Sequence, residues 1–478
     1  SMGNSNSTNF LLLADSYKAS HHVQYPPNTT KVYSYFESRG GRHEELCWFG
    51  LQIQLKRFFC GKVVTRDKID EAEDLFKLHF YPNSNIFNKE GWEYILKEHD
   101  GRLPIKIKSL PEGTIIKNKN CLFTIENTDP KCYWLTNYCE TILSHVWYTM
   151  TVATNSREQK KIILKYLQET GDPELINFKL HDFGYRGVSS LETAAYGAAA
   201  HLTQFLGTDT VAGLKLARDI YGARCAGFSI PASEHSTMTP WEKKYVDNDG
   251  NIKFKKDERS AIENMIDQYP SGLVACVCDS YDIYNVAENI LGIDLKEKIM
   301  KRDGTFIVRP DSGDPLEVNL KLLNILGDKF GYDTNKKGYK VLDPHIRIIQ
   351  GDGIDIKSLE KILEHLKKNG WSADNISFGS GGGLLQKLNR DTQKCAIKCS
   401  LAIIDGREVM VYKDPITDPG KKSKRGYMTV NKNYENELIT RCNGDHDFNT
   451  DCLETVFENG VLKINYSWEF IKENCKLK

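Results

Sequence analysis

The chain has 478 residues, and its 64 lysines and arginines are balanced by 64 aspartates and glutamates. That length holds a large core and more than one domain, and the zero net charge lacks the broad positive footprint of a general nucleic-acid binder, so no nucleic-acid partner is expected. No apolar run reaches the ~18–20 residues needed to span a bilayer, so no membrane partner is expected either.

In chain order, VYSYFESR (32–39) alternates as a strand does. From about 151 to 389, strand signals alternate with helix signals. Ser156 with Gln159 reads as a capping box opening a helix, and Gly171 as its stop. KLHDFG (179–184) follows as a strand. Ser189 with Glu192 opens an alanine-rich helix at 191–205. GFSIP (227–231), LVACVCDS (273–280) and TFIVRP (305–310) are further strand signals. Asp314 and Pro315 start a helix at 315–326, with Gly327 after its last turn. IRIIQG (346–351) is a strand. Asp355 starts a helix at 356–369, where Leu359, Ile362, Leu363 and Leu366 form one apolar stripe that Gly370 ends. ISFGS (376–380) is the last strand of the series. LAIIDGREVMVYKD (401–414) is a hairpin signal around Asp405-Gly406.

Repeated β-α units predict a parallel sheet, for which an open doubly wound sheet and a closed barrel both fit. The glycine-rich turns after the last strands favour the barrel, where such loops make a phosphate site. The expected fold is α/β: an irregular α/β barrel with a second, partly antiparallel α/β domain built from both chain ends. The expected domains are 1–150 with 390–478, discontinuous, and 151–389, the barrel.

The chemistry falls on the strand ends. GSGGG (379–383) lets a backbone approach a ligand with no Cβ in the way, ahead of a helix N-terminus, and points to phosphate. Arg390 lies one short helix later, placed to clamp the same anion. Arg309 and Asp311 in RPDSGDP read equally as an ion pair or as an anion contact beside a carboxylate for sugar hydroxyls. Asp352 in GDG offers a second carboxylate of the ribose-binding kind. His235 in PASEHST follows a strand, and Asp279 on the same rim would hold its imidazole in one tautomer. Phe183 in HDFGYRG reads as a stacking platform or a core residue, and Arg186 as an anion contact. Asp209 means little alone. KKSKR (421–425) reads as a solvated loop.

No signal-peptide pattern opens the chain. The thirteen cysteines lack C-x-x-C spacing. A cytoplasmic protein with reduced thiols is therefore expected. No Walker A loop, zinc motif or nucleophile elbow is present. The residues alone bound the function to an enzyme handling a phosphorylated sugar or nucleotide.

Ten ordered segments carry a more specific resemblance: ADSYK (14–18), QYPPNT (24–29), NSREQKK (155–161), KLHDFGYRGVSS (179–190), GTDTVAG (207–213), EHST (234–237), DSYDIYN (279–285), RPDSG (309–313), QGDG (350–353) and FGSGGGLLQK (378–387). Over essentially its whole length the chain resembles the nicotinamide phosphoribosyltransferase family of type II phosphoribosyltransferases. The resemblance implies an irregular α/β barrel with an additional domain, working as a homodimer with active sites at the interface. It implies transfer of the phosphoribosyl group of phosphoribosyl pyrophosphate to nicotinamide, in the salvage route of NAD biosynthesis. Mg2+ assists, and ATP is a co-substrate hydrolysed through a phosphohistidine.

The same resemblance implies residue roles. Phe183 and Tyr17 would stack on the two faces of the pyridine ring, Tyr17 from the partner subunit, with Asp15 beside it. Asp209 would accept the carboxamide N–H, with Ser229 near the amide. His235 would be phosphorylated by ATP, with Glu234 and Asp279 beside it. Arg186 and Arg309 would bind the pyrophosphate and Asp311 the ribose hydroxyls. Gly351, Asp352, Gly381 and Gly382 would cradle the sugar phosphate, and Arg39, Arg390, Lys398 and Lys413 would contact phosphates. No direct metal ligand is implied. The chain departs from the family pattern at Ala396, where a serine is usual, at Ala275, and in a shorter loop after Arg39 than animal members have. The alternatives are nicotinate phosphoribosyltransferase, a sister activity on the same fold, a non-catalytic binding or signalling protein, and a phosphosugar isomerase or aldolase.

Overall fold

The computed structural model describes residues 8–419 and 423–478; Lys421 and Lys422 of the KKSKR run lie outside the described residues. Five of the apolar runs pair as one parallel sheet, in the order Leu180–Asp182, Ile376–Ser380, Ile346–Gln350, Phe306–Arg309, Val274–Val277. Strands covered on both faces need near-continuous apolar runs, which these segments supply.

Single parallel bridges close the sheet on itself. Asp182 pairs with Thr208, Gly207 with Phe228, and Ala232 with Ala275. The segments at 207–208 and 228–232 therefore stand between the first and last strands. The sheet is a closed, irregular barrel and not an open doubly wound sheet. GFSIP does not form a regular strand. Pro231 has no N–H to donate, so that stretch is held by Phe228 N–H donating to Leu206 O and Ala275 N–H donating to Pro231 O. Every strand of the ring ends at the same rim, where barrel enzymes carry their chemistry.

The helices around the ring follow local cap chemistry with three corrections. Ser190, and not Ser189, caps the helix Leu191–Leu202 by accepting from Thr193 N–H. The helix Pro315–Phe330 runs through Gly327 and stops at Gly331, where φ is 85°. A Cβ on Gly327 would come 2.9 Å from Trp371 Cη2, so this glycine is a packing notch and not a stop. Ser156 caps nothing. It sits inside one long helix, Val146–Thr170, and its hydroxyl shares a 2.8 Å hydrogen bond with buried His201 Nδ1. That helix crosses the expected boundary at 150/151 and ends at Gly171 as predicted. The helix Ile356–Lys368 has its capping box at Asp355 and Ser358 and buries Leu359, Ile362, Leu363 and Leu366. A cap of that kind stabilises a helix by about 1 kcal/mol.

The two chain ends share a seven-stranded antiparallel sheet, in the order Arg407–Met410, Cys395–Ile404, Thr29–Ser38, Cys121–Asn127, Ile105–Ser109, Glu454–Glu458, Val461–Leu462. Asp405 and Gly406 both have positive φ, 53° and 75°, the geometry of a tight primed turn, and they close the expected hairpin. Phe36 stacks on Phe123 at 5.2 Å in the core beneath this sheet. Among the described residues no helix is long and apolar enough to cross a membrane.

Candidate active site

The barrel rim encloses a cavity of about 720 Å³, lined among others by Phe183, Arg186, Asp209, Ser229, Glu234, His235, Ala275, Arg309, Asp311 and Gly351. Ten residues scattered over 169 positions of sequence thus converge because each lies on, or soon after, a barrel strand or a ring-closing segment.

At one end Asp209 is held from two sides. His181 Nε2 lies 2.7 Å from its Oδ1, and the Ser229 hydroxyl donates to the same oxygen. Among the described residues Oδ2 has no hydrogen-bond donor. Burial pushes the Asp209 carboxyl up, but the His181 hydrogen bond and charge, Ser229 and Arg309 together hold it below the usual carboxylate range. It is therefore a fixed anion with one acceptor oxygen to spare. Gly207 permits this arrangement, because a Cβ there would come 2.5 Å from His181 Nδ1.

Phe183 stands on a turn that buried Asp182 fixes. Asp182 Oδ1 accepts from Gly184 N–H at 2.7 Å and Oδ2 from the Thr208 hydroxyl at 2.8 Å. The glycines of the two neighbouring strand ends make room for the ring. A Cβ on Gly379 would come 1.8 Å from Phe183 Cε2, and one on Gly351 3.3 Å from it. Phe183 is thus a half-buried platform whose ring packs over strand tips. Gly382 differs, since a Cβ there would meet nothing within 4 Å, and Gly381 precedes the short helix Gly382–Leu385. The backbone at Gly382 is open for a ligand to approach, whereas a Cβ on Gly381 would come 3.2 Å from Phe183 O.

At the other end His235 opens the helix His235–Met238. Its Nε2 lies 2.7 Å from Asp279 Oδ1, and the Ser312 hydroxyl donates to Asp279 Oδ2 at 2.5 Å. Its Nδ1 lies 3.9 Å from Asp311 Oδ2. Arg309 donates to Asp311 Oδ1 at 3.2 Å and to Ser233 O at 3.0 Å. Arg309 and Asp311 therefore form an ion pair, and both line the cavity. Asp352 is exposed just beyond Gly351, and Gln350 Nε2 donates to its carbonyl at 2.8 Å.

Ten expected residues do not line this cavity: Asp279, Asp352, Gly381 and Gly382, placed above, and six more. Tyr17 is 59% exposed, with its ring edge-on to His21. Asp15 precedes it, sharing a 3.2 Å hydrogen bond with the Thr141 hydroxyl. Arg39, Lys398 and Lys413 gather by the antiparallel sheet, where burial and then the Arg39 charge lower the Lys398 ammonium, Lys413 adding to the effect. Lys424 joins them through Glu37 at 2.5 Å. Arg390 is exposed after the 382–385 helix. The reading of the residues missed His181, Asp182 and Tyr185. Asp182 was discoverable as a carboxylate inside an apolar strand signal; a lone histidine and an exposed tyrosine gave no signal.

A family model described as the Nicotinate phosphoribosyltransferase (NAPRTase) family matches residues 178–461, and one described as Nicotinamide phosphoribosyltransferase, N-terminal domain, matches residues 9–107. The chain is 46% identical over 476 residues, 98% of each chain, to a protein of Xanthomonas campestris pv. campestris (strain 8004) named nicotinamide phosphoribosyltransferase. It is 31% identical to one of that name from Acinetobacter baylyi (strain ATCC 33305 / BD413 / ADP1), over 97% of this chain and 96% of the other. Among solved structures, human nicotinic acid phosphoribosyltransferase aligns with a TM-score of 0.57 at 15% identity, covering 97% of this chain and 93% of that one. Nicotinate-nucleotide pyrophosphorylase from Pyrococcus furiosus aligns with a TM-score of 0.55 at 14% identity, covering 98% and 95%. At such identities the two structures show the fold alone.

Proposed function

The chain belongs to the nicotinate phosphoribosyltransferase (NAPRTase) family, and from that premise we propose that it joins nicotinamide to phosphoribosyl pyrophosphate, giving nicotinamide mononucleotide and pyrophosphate for NAD biosynthesis. The observation that carries the choice of nicotinamide is Asp209, a fixed carboxylate with one unused acceptor oxygen. A carboxamide N–H satisfies that oxygen, whereas the carboxylate of nicotinate is repelled by it. A hydrogen bond to a charged group is worth about 1.5–3 kcal/mol, which corresponds to roughly ten- to a hundredfold discrimination.

The chemistry needs no protein nucleophile. The pyridine nitrogen attacks the anomeric carbon, a C–N bond forms as the C–O bond to pyrophosphate breaks, and positive charge develops on the ribose ring. Phe183 aims the ring, and Arg186 and Arg309 stabilise the leaving pyrophosphate. Asp311 serves the ribose hydroxyls, and the turn at Gly381 and Gly382, open at Gly382, receives the 5-phosphate.

Asp209, Asp279 and Asp311 each have a hydrogen-bond partner in the protein, and no cluster of three metal ligands lies in the pocket among the described residues. Asp311 Oδ2 has no hydrogen-bond donor among the described residues, so a Mg2+ ion carried on the pyrophosphate would find its protein ligand there and would neutralise charge on the leaving group.

ATP coupling belongs to the same reading. His235, oriented by Asp279, becomes phosphorylated, which places charge beside the pyrophosphate site. So does a homodimer, supported by Tyr17 being exposed and outside the cavity that Phe183 lines. The basic group at Arg39, Lys398 and Lys413 then serves phosphates in the partner's site. The division into 1–150 with 390–478 and 151–389 is supported by the sheet that both ends share, with the helix Val146–Thr170 running across its first boundary. A cytoplasmic setting is supported by thirteen unpaired cysteines.

The test is product formation from nicotinamide, phosphoribosyl pyrophosphate and Mg2+, with and without ATP, run against nicotinate. A higher kcat/KM with nicotinate would overturn the substrate assignment.

A further inference from the structure

A second cavity, about 960 Å³ and larger than the first, opens where the Val146–Thr170 helix meets the strand Ile115–Lys117 and the hairpin Thr429–Arg441. It shares no lining residue with the barrel pocket. The NSREQKK run reaches this cavity and not the barrel pocket, through Arg157 and Lys161.

The lining carries Lys117, Arg157, Lys161, Lys432, Lys476 and Lys478 against Glu45, Glu437 and Glu454, so its side chains leave a net positive charge. Glu45 Oε1 accepts from Arg157 Nη1 at 2.5 Å and from Lys161 Nζ at 2.9 Å, and Glu158 Oε1 accepts from the same ammonium at 3.0 Å. Arg157 is only 7% exposed, and among the described residues its buried Nε has no hydrogen-bond partner. Buried guanidinium N–H groups are rarely left unpaired without a reason. Across the cavity Lys432 and Lys476 line the wall, and neither has a carboxylate within ion-pair distance among the described residues. The lining also includes the apolar side chains Ile115, Ile116 and Leu164.

We propose that this cavity binds a nucleoside polyphosphate, with its phosphates between the Arg157–Lys161 wall and Lys432, and its base over Ile116 and Leu164. The volume lies in the range of small-molecule sites, and the pairing of an anion clamp with apolar side chains matches a ligand charged at one end and flat at the other. The inference does not depend on the reaction assigned to the barrel.

The test is calorimetric titration with ADP at constant ionic strength on the full chain and two variants. Wild-type protein shows two classes of site per chain. The double variant Lys161→Glu, Lys432→Glu weakens one class at least about tenfold through charge reversal at the clamp. Arg309→Ala, on the barrel rim, leaves that class intact. Should the double variant fail to fold by circular dichroism, Lys432→Gln with Lys476→Gln replaces it, since neither residue supports Glu45. Photolabelling of wild-type protein with 8-azido-ADP gives an independent readout, with label on peptides from 110–117 or 157–168. Retention of both classes by the clamp variant, loss of all binding in Arg309→Ala, or label confined to barrel-rim peptides would each overturn the proposal.

Discussion

Gly379 and Phe183 exclude any side chain between them: a Cβ on Gly379 would lie 1.8 Å from Phe183 Cε2 and 2.2 Å from Cδ2. The glycine therefore seats the aromatic platform as well as shaping the turn. Gly379→Ala forces the ring out of place, and overpacking of this kind costs about 1–3 kcal/mol. A displaced stack loses about 0.5–1.5 kcal/mol more of ring binding. The expected result is a lower Tm and a KM for nicotinamide raised roughly threefold to tenfold or more. Gly382→Ala is the control, because a Cβ there meets no protein atom within 4 Å. It leaves Tm unchanged and raises KM for phosphoribosyl pyrophosphate. Equal Tm values for wild type and Gly379→Ala would refute the steric reading.

Asp209 sets the base preference through its unused oxygen. Asp209→Ser removes both the acceptor charge and the repulsion of nicotinate. The ratio of kcat/KM for nicotinamide over nicotinate then narrows by roughly ten- to a hundredfold. An unchanged ratio removes Asp209 from selectivity.

Most of this geometry was legible in the chain, and the exceptions have physical causes. The strand runs, the Asp355 cap and the Asp405-Gly406 hairpin depend on neighbours in sequence, so local chemistry revealed them. Closure of the ring did not, because GFSIP pairs through isolated bridges around a proline. Gly327 and Gly379 look like turn residues in sequence, yet their lack of a Cβ serves Trp371 and Phe183, which lie far away along the chain. Ser156 mimics a cap because its true partner, His201, is 45 residues distant. Tyr17 and Lys398, to which the resemblance gives substrate contacts, do not line the cavity of this chain.

Glu258 offers a pH test near His235. Among the described residues its buried Oε2 has no hydrogen-bond partner. Burial, then the Asp279 and Asp282 charges, push its carboxyl up to about 7, with Ser280 and His235 opposing. A carboxyl whose folded pKa lies above its unfolded value binds extra protons in the folded state. Its contribution therefore lowers stability as pH rises from about 4.5 through about 7. Glu258→Gln keeps the shape and removes the charge, so its Tm gain over wild type is larger at pH 8 than at pH 5. Solvent screening of this partly exposed group keeps the gain modest. The same gain at both pH values would show that titration is not its cause.

The cross-subunit role of Tyr17 can be read by complementation. Tyr17→Ala damages the face that a chain lends, and Phe183→Ala the face that it keeps. A heterodimer of the two has one intact site and one doubly altered site. Mixing and re-equilibrating the inactive variants thus restores up to roughly a quarter of wild-type activity, since half the dimers are mixed and each has one good site of two. No recovery, with subunit exchange verified, would place Tyr17 outside the partner's site.

His235 carries the last prediction. Its Nε2 is held by Asp279, which is itself fixed by Ser312, so Nδ1 is the nitrogen left to face Asp311 and the cavity. An imidazole anchored through one nitrogen presents the other as a nucleophile toward a terminal phosphate. His235→Ala is expected to bind nicotinamide with wild-type affinity by titration, because the ring site at Phe183 and Asp209 does not include it. It loses ATP-stimulated turnover and incorporates no phosphate from γ-labelled ATP. Asp279→Asn keeps the histidine but loses the anion that orients it, so label incorporation slows while nicotinamide affinity holds. Retained ATP stimulation in His235→Ala would end the phosphohistidine assignment, and the transfer reaction at the barrel rim would then proceed without it.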